Sequence, residues 1–279
     1  MSSSTRMEIN CPRCRKNFTA TVWKSINTDL YENVQRDVIN GKLFEAVCPF
    51  CKYETSLSYD ILYHDLKRQA MIWVLYPQSK NYKKNILDAK NNNLINYSYT
   101  RMVSSIEELR EKVSVIESGR DDRLIELYKY YVLITAHNDF PDLTFTDVYY
   151  MYDNGKEVIY LYSDDGNYKT TILQEELYNF MRTLFDDALK KLPQEKFPVY
   201  DQKWAELLFA TASVTDLEEE TAIENKATIK VKLKKSKSGT ERNVVNATTV
   251  PEVKFCRKCG NKLLKGSSFC SYCGTKVIK

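Results

Sequence analysis

The sequence predicts an α+β protein. A four-cysteine knuckle core with antiparallel strands opens the chain. A mixed α/β body of a three-stranded meander plus helices follows, and a small cysteine module closes it. Three observations predict this. All eight cysteines fall into C-x-x-C pairs, Cys11/Cys14, Cys48/Cys51, Cys256/Cys259 and Cys270/Cys273. Residues 144–173 alternate apolar and polar side chains around Asp153-Asn154-Gly155 and Asp164-Asp165-Gly166, which suit tight hairpins. Several other segments repeat apolar residues at three- and four-residue spacing, the period of a half-buried helix.

The elements follow in order. Phe18, Ala20 and Val22 alternate with polar neighbours and predict a strand. Asp29 can cap a helix over 29–40 that carries Leu30, Val34 and Val38 and stops at Asn40-Gly41. Short strands are expected at 43–47 and 53–59, and an apolar strand at 69–76 ends at Pro77. The Asn- and Lys-rich segment 78–92 reads as a surface loop with at most one helical turn. A strand at 97–103 leads into Ser104-Ser105-Ile106-Glu107, a capping-box pattern for a helix that Gly119 breaks. A second helix covers about 121–136. The meander strands are about 144–152, 156–162 and 168–173. Helices at 174–191 and about 201–211 complete the body.

The domain division expected is a body at 1–215, with its cysteine core at about 7–76, a flexible basic linker at 216–252 and a terminal module at 253–279. Composition changes past Val214, where Glu218 to Glu220 give way to Lys226, Lys230, Lys232, Lys234, Lys235 and Lys237. Residues 225–279 hold 14 Lys/Arg against 2 Asp/Glu, whereas residues 1–224 hold 27 against 35. The small net charge of +4 is therefore a near cancellation between an acidic body and a basic tail.

Composition excludes several classes. With 279 residues, 43% of them hydrophobic, the chain is long and apolar enough to bury a core. Only 8 Gly and 7 Pro rule out collagen-like and Gly/Pro-rich architectures. No uninterrupted apolar stretch approaches the ~20 residues of a membrane helix. The first ten residues hold no apolar segment of signal-peptide length, so a reducing cytoplasmic location is expected. There, paired cysteines hold metal or do redox work rather than form a disulfide scaffold.

The spacing C-x2-C-x10-C-x2-C of Cys256, Cys259, Cys270 and Cys273, with Gly260 and Gly274 after each pair, is zinc-knuckle geometry. A module this short cannot fold on its apolar residues alone, and structural zinc supplies on the order of 10–16 kcal/mol. The module resembles the zinc ribbons found at the ends of many prokaryotic proteins. At the other site, 33 residues separate Cys14 from Cys48, room for a strand and a helix. Pro12 and Pro49 stiffen these two knuckles, and Arg15 and Lys52 stand where knuckles favour Gly. Four thiolates on one divalent ion leave a formal charge of −2 that these cations can partly offset. Zinc is the expected metal at both sites, two ions per chain, with rubredoxin-type iron the alternative at the first.

The motifs Cys11-Pro-Arg-Cys14, Val22-Trp23-Lys-Ser-Ile26-Asn27, Gly41-Lys-Leu-Phe44, Cys48-Pro-Phe-Cys51 and Leu62-Tyr63-His64-Asp65 resemble those of the CpXC domain family. So do the later segments 106–113 and 121–127. The resemblance covers about residues 7–130. It implies a prokaryotic intracellular zinc-binding domain with Cys11, Cys14, Cys48 and Cys51 as ligands.

No catalytic constellation is found. Four cysteines close a zinc shell, whereas a catalytic zinc keeps one position open. The two histidines, His64 and His137, form no His-Glu-x-x-His pattern. Asp65 follows His64 directly, and adjacent side chains on an extended segment point apart. His64 is therefore expected to bond to backbone near the zinc core, and His137 to sit at a helix C-terminus. The reading is a non-enzymatic interaction or adaptor protein with an unidentified protein partner and no membrane association. The alternative is a nucleic-acid-binding module acting through the basic region Lys226–Lys279. A thiol-based redox sensor or enzyme ranks below both.

Overall fold

The computed structural model describes residues 2–30, 32–91 and 97–216, together with three two-residue strands beyond them. The described chain divides into two compact units. Met1–Val113, Glu195–Pro198 and Asn246–Lys279 make the first; Ser114–Gln194 and Val199–Val245 make the second.

The first unit is built on a five-stranded sheet. Strand β1 (Ser3–Asn10) pairs antiparallel with β2 (Asn17–Asn27) in the register Ile9↔Phe18 and Asn10↔Asn17. A 3-10 turn at Thr28–Leu30, α1 (Val34–Ile39) and a small hairpin of β3 (Glu45–Val47) and β4 (Glu54–Ser56) follow. The chain returns to the large sheet as β5 (Ile61–Asp65), β6 (Ala70–Val74) and, after α2 (Tyr82–Asn91), β7 (Tyr99–Val103). The strand order is β1-β2-β5-β6-β7. The pairings β1/β2, β3/β4 and β5/β6 are antiparallel as expected, whereas β2/β5 and β6/β7 are parallel, which the expectation of antiparallel strands did not include. Parallel neighbours need a crossover, and α1 with the β3/β4 hairpin, and α2, supply the two connections. Ile26, Val34, Val38, Phe44, Ile61, Tyr63 and Ile72 are all buried in this unit.

Two local expectations here need correction. The helix placed at 29–40 is interrupted, because Asn33 takes a left-handed conformation (φ 67°) and α1 starts only after it. Gly41 (φ +80°) ends the turn as expected; the Arg110 guanidinium lies 3.5 Å from where a Cβ would sit, and Arg110 Nε donates to the Ile39 carbonyl at 2.7 Å. Within the segment expected to be a loop, Tyr82–Asn91 form a ten-residue helix. Its Tyr82, Ile86 and Ala89 pack against Met71, Leu75, Met102 and Phe197. Asp60 holds the entry to α2 by accepting from Tyr76 N (2.9 Å), Ser79 Oγ (2.7 Å) and Asn85 Nδ2 (3.1 Å).

The division between the units falls within α3 (Ile106–Ser118). Its capping box lies one residue later than the sequence pattern placed it. Glu108 N donates to Ser105 Oγ (3.1 Å), and the Glu108 carboxylate accepts from Ser104 N (2.7 Å).

In the second unit, α4 (Asp122–Asp139) is capped by Asp121, which accepts from Arg123 N at 2.9 Å. The meander is β8 (Phe145–Asp153), β9 (Lys156–Ser163) and β10 (Tyr168–Ile172), all antiparallel. Asn154 (φ 50°) and Gly155 (φ 79°) make its first turn. The helices α5 (Glu175–Lys190) and α6 (Gln202–Asp216) close the unit. Val148, Tyr150, Ile159 and Leu161 of the sheet pack with Leu127, Tyr128, Val132, Leu177, Met181 and Phe185 of the helices. Arg120 clamps Glu157 (2.7 Å) and Glu175 (2.7 Å) and lies over the Tyr178 ring at 4.5 Å.

Beyond Asp216 the described elements are β11 (Lys234–Lys235), paired with β10, and β12 (Lys254–Phe255), paired antiparallel with β13 (Lys262–Leu263). The rest of the expected linker and ribbon lies outside the described residues. No helix among the described residues is long and apolar enough to cross a membrane.

Candidate metal centre

Each N-terminal cysteine pair occupies the turn of a β-hairpin. Residues 11–16 join β1 to β2, and residues 48–53 join β3 to β4. The two turns share one backbone pattern. Cys11 N donates to the Lys16 carbonyl (3.0 Å) and Arg15 N to the Cys11 carbonyl (2.8 Å). Cys48 N donates to the Tyr53 carbonyl (2.8 Å) and Lys52 N to the Cys48 carbonyl (2.9 Å) in the same way. Both chains reverse through a left-handed residue directly after the second cysteine, Arg15 and Lys52, each at φ 59°. Cys14 N also points at Cys11 Sγ, 3.5 Å away. Asn10 braces the first turn through its Nδ2, which donates to the Arg15 carbonyl at 2.9 Å and to Asn17 Oδ1 at 2.8 Å.

The fold brings the two turns together across the long sequence gap. Cys11 Sγ lies 3.6 Å from Cys51 Sγ, and Cys14 Sγ lies 3.7 Å from Cys48 Sγ. All four sulfurs lie within 4.8 Å of one another. A tetrahedral ion with metal–sulfur bonds of about 2.3 Å has sulfur–sulfur edges of about 3.8 Å. The donor set therefore fits Zn²⁺, and rubredoxin-type iron accepts the same four thiolates. Cys11 and Cys48 are fully buried; Cys14 and Cys51 are partly exposed. Beneath them Phe18, Val22, Ala46 and Leu57 form an apolar floor, with Ile9, Ala20, Tyr53 and Tyr59 packed around it. Tyr59 fixes β2 to this floor by accepting from Trp23 N at 3.3 Å.

The electrostatics favour a cation among the sulfurs. Burial opposes ionisation of Cys11. Backbone N–H groups of Cys14 and Arg13 and the thiols of Cys51 and Cys48 outweigh it, and the pKa falls to about 6. Cys51 moves the other way, up to about 12, because of burial and the neighbouring sulfurs of Cys11, Cys14 and Cys48. The first proton leaves readily and a later one is held, as expected of like charges in one cluster. A divalent ion removes that repulsion. On the outside, Lys16 Nζ lies 4.8 Å from the centroid of the Phe50 ring and links the two turns.

The histidines are placed elsewhere. His64 lies opposite Asn27, at the end of β2 remote from the knuckle that precedes Asn17. Its Nε2 forms a short hydrogen bond with the Tyr97 hydroxyl, with the rings edge-to-face at 5.0 Å. This corrects the expected backbone bond near the zinc core. Asp65 points to the other face of β5. It is fully buried, pairs with Arg68 (3.2 Å) and accepts from Thr28 Oγ1 (3.5 Å), so it does not orient His64. His137 lies in the last turn of α4, its ring 5.6 Å from that of Phe145.

The sequence reading missed Tyr97 and the Lys16–Phe50 stack, for which it carries no local signal. It also missed β1, although Met7 and Ile9 alternate with Glu8 and Asn10. The second set, Cys256, Cys259, Cys270 and Cys273, lies outside the described residues. The described strands β12 and β13 flank its first pair as β1 and β2 flank Cys11 and Cys14.

Comparison with known families agrees with these two cysteine sets. Residues 9–129 match the family described as CpXC protein, and residues 255–277 match the zinc-ribbon domain. No curated protein and no solved structure matches the chain.

Proposed function

Since this is a CpXC protein with a C-terminal zinc ribbon, we propose that it is a non-enzymatic interaction protein built around two structural zinc ions. Cys11, Cys14, Cys48 and Cys51 hold the first, and Cys256, Cys259, Cys270 and Cys273 hold the second. One observation carries the reading: four sulfurs converge within 4.8 Å in a site whose inner pair is fully buried. Four thiolates fill a tetrahedral shell and leave no position for a water or a substrate. The ion then acts on stability, holding two hairpins whose cysteines are 33 residues apart in sequence. Eight cysteines held as metal ligands rather than disulfides fit a reducing, cytoplasmic compartment.

The test is metal analysis with cobalt replacement. Two zinc ions per chain and a tetrahedral thiolate cobalt spectrum are expected. One ion or none, or a cobalt spectrum that changes when small anions are added, overturns the proposal. Affinity capture with the full chain against a 1–215 truncation then locates the partner surface.

A second reading is favoured by the charge split, 14 Lys/Arg against 2 Asp/Glu beyond residue 224. In it the Lys226–Lys279 region binds nucleic acid. Affinity that falls steeply with salt and disappears in the truncation is its signature.

A further inference from the structure

The outer surface of the first metal centre differs in charge from the body that carries it. Residues 11–16 and 48–53 contain Arg13, Arg15, Lys16 and Lys52 and no carboxylate, whereas residues 1–224 together hold 27 Lys/Arg against 35 Asp/Glu. All four cations are exposed. Phe50 stands among them at 55% exposure, with Lys16 Nζ over its ring. Phe18, on the adjoining strand β2, is by contrast 8% exposed and part of the apolar floor. The four sulfurs within 4.8 Å of one another, and Lys16 Nζ 4.8 Å from the Phe50 ring centroid, bring the two turns side by side as one tip.

The second cysteine set repeats the arrangement in sequence. A cation precedes the second cysteine of the first pair, Arg13 at one site and Lys258 at the other. An aromatic precedes the second cysteine of the second pair, Phe50 and Tyr272. An aromatic face beside phosphate-reading cations is the combination that binds unpaired bases.

We infer that the tip of the first metal centre is a binding surface for single-stranded nucleic acid, with Phe50 stacking on a base and Arg13, Arg15 and Lys52 meeting phosphates. The inference rests on the structural-zinc reading, because the tip exists only while the four sulfurs are held together. It names a surface on the body, separate from the Lys226–Lys279 tail. An acidic protein segment would use the cations but would gain little from Phe50, so that residue separates the two classes of partner.

The test uses the full zinc-loaded chain and a fluorescent oligothymidylate of about 15 nucleotides, near the upper site size of one single-strand-binding module. Binding is followed by anisotropy from about 50 mM salt upward. Phe50→Ala is expected to weaken binding roughly five- to a hundred-fold, the loss of one base stack, and Phe50→Trp to restore it. Arg13→Gln with Lys52→Gln is expected to lower the salt slope by about 1.4, two single-strand phosphate contacts.

Zinc is counted in every sample. If the wild type lacks zinc, the structural reading fails, and that outcome is distinct from failure of this one. If zinc is present and no oligonucleotide binds at low salt, the inference is overturned. It is equally overturned if both variants keep zinc and bind like the wild type, which would assign the binding to the tail. Polyglutamate binding without oligonucleotide binding overturns it in favour of an acidic partner. Should Phe50→Ala lose zinc, the exposed double variant decides the matter alone.

Discussion

Arg15 and Lys52 occupy the same place in two different hairpins and share one backbone angle, φ 59°. Each follows the second cysteine of its pair and donates its backbone N–H to the carbonyl of the first. Knuckles favour Gly here because a left-handed L-residue costs roughly 1–2 kcal/mol. The chain instead places long cations at both positions. Lys52→Gly is expected to stay within about 1 kcal/mol of wild type, since relief of strain is balanced by a freer unfolded chain. Lys52→Val, β-branched at a left-handed position, is expected to lose about 1–2 kcal/mol. Denaturant unfolding with zinc bound checks both.

Removing a buried ligand acts through the metal. Cys48→Ser is expected to lower zinc to one per chain and to expose Tyr53 and Tyr59, which pack on the same floor. Cys270→Ser is expected to lower the count by one without that exposure. Elemental analysis and near-ultraviolet circular dichroism separate the two cases.

In the second unit, Arg120 Nε and Nη2 donate to Glu157 at 2.8 and 2.7 Å. Nη1 and Nη2 donate to Glu175 at 3.1 and 2.7 Å. Arg120→Met would leave Glu157 mostly buried without its guanidinium, a loss of about 2–3 kcal/mol. Arg120→Lys keeps the charge but loses the fork, and is expected to cost less. The hydrogen bonds from Arg120 hold both carboxyls below the usual range. Their stabilisation is present above the unfolded value of 4.5 and is lost as pH falls below it. Urea titrations at several pH values should show this acid-side slope in wild type and a weaker one in Arg120→Met.

Burial lowers the pKa of His64 from 6.5, against the opposing carboxylates of Asp29 and Asp65. Its neutral form is favoured by folding, so its contribution is present above pH 6.5 and declines as pH falls through the depressed folded value. An NMR titration should place the His64 midpoint below 6.5. Tyr97→Phe, which removes the hydroxyl that meets Nε2, should move that midpoint measurably while zinc content stays unchanged.

Several elements were legible because their signals are local. Asp153-Asn154-Gly155 places a hairpin turn whatever surrounds it, and Ser105 with Glu108 starts a helix through contacts three residues apart. The helix α2 was not legible. Asn and Lys dominate its composition, and the residue that helps bury Ala89 is Phe197, more than a hundred positions later. The interruption before α1 was hidden because Asn33 tolerates both helical and left-handed angles.

By itself, the sequence determined the cysteine pairing within each C-x-x-C, the meander and the split between an acidic body and a basic tail. These follow from spacing, turn chemistry and composition, which neighbouring residues settle among themselves. Only the tertiary structure decided that Cys11 meets Cys51 and Cys14 meets Cys48, that β2 and β5 run parallel, and that His64 answers to Tyr97 rather than Asp65. Those outcomes depend on which strands pair across long loops. Pairing is chosen by the burial of whole faces, which no short stretch of residues encodes.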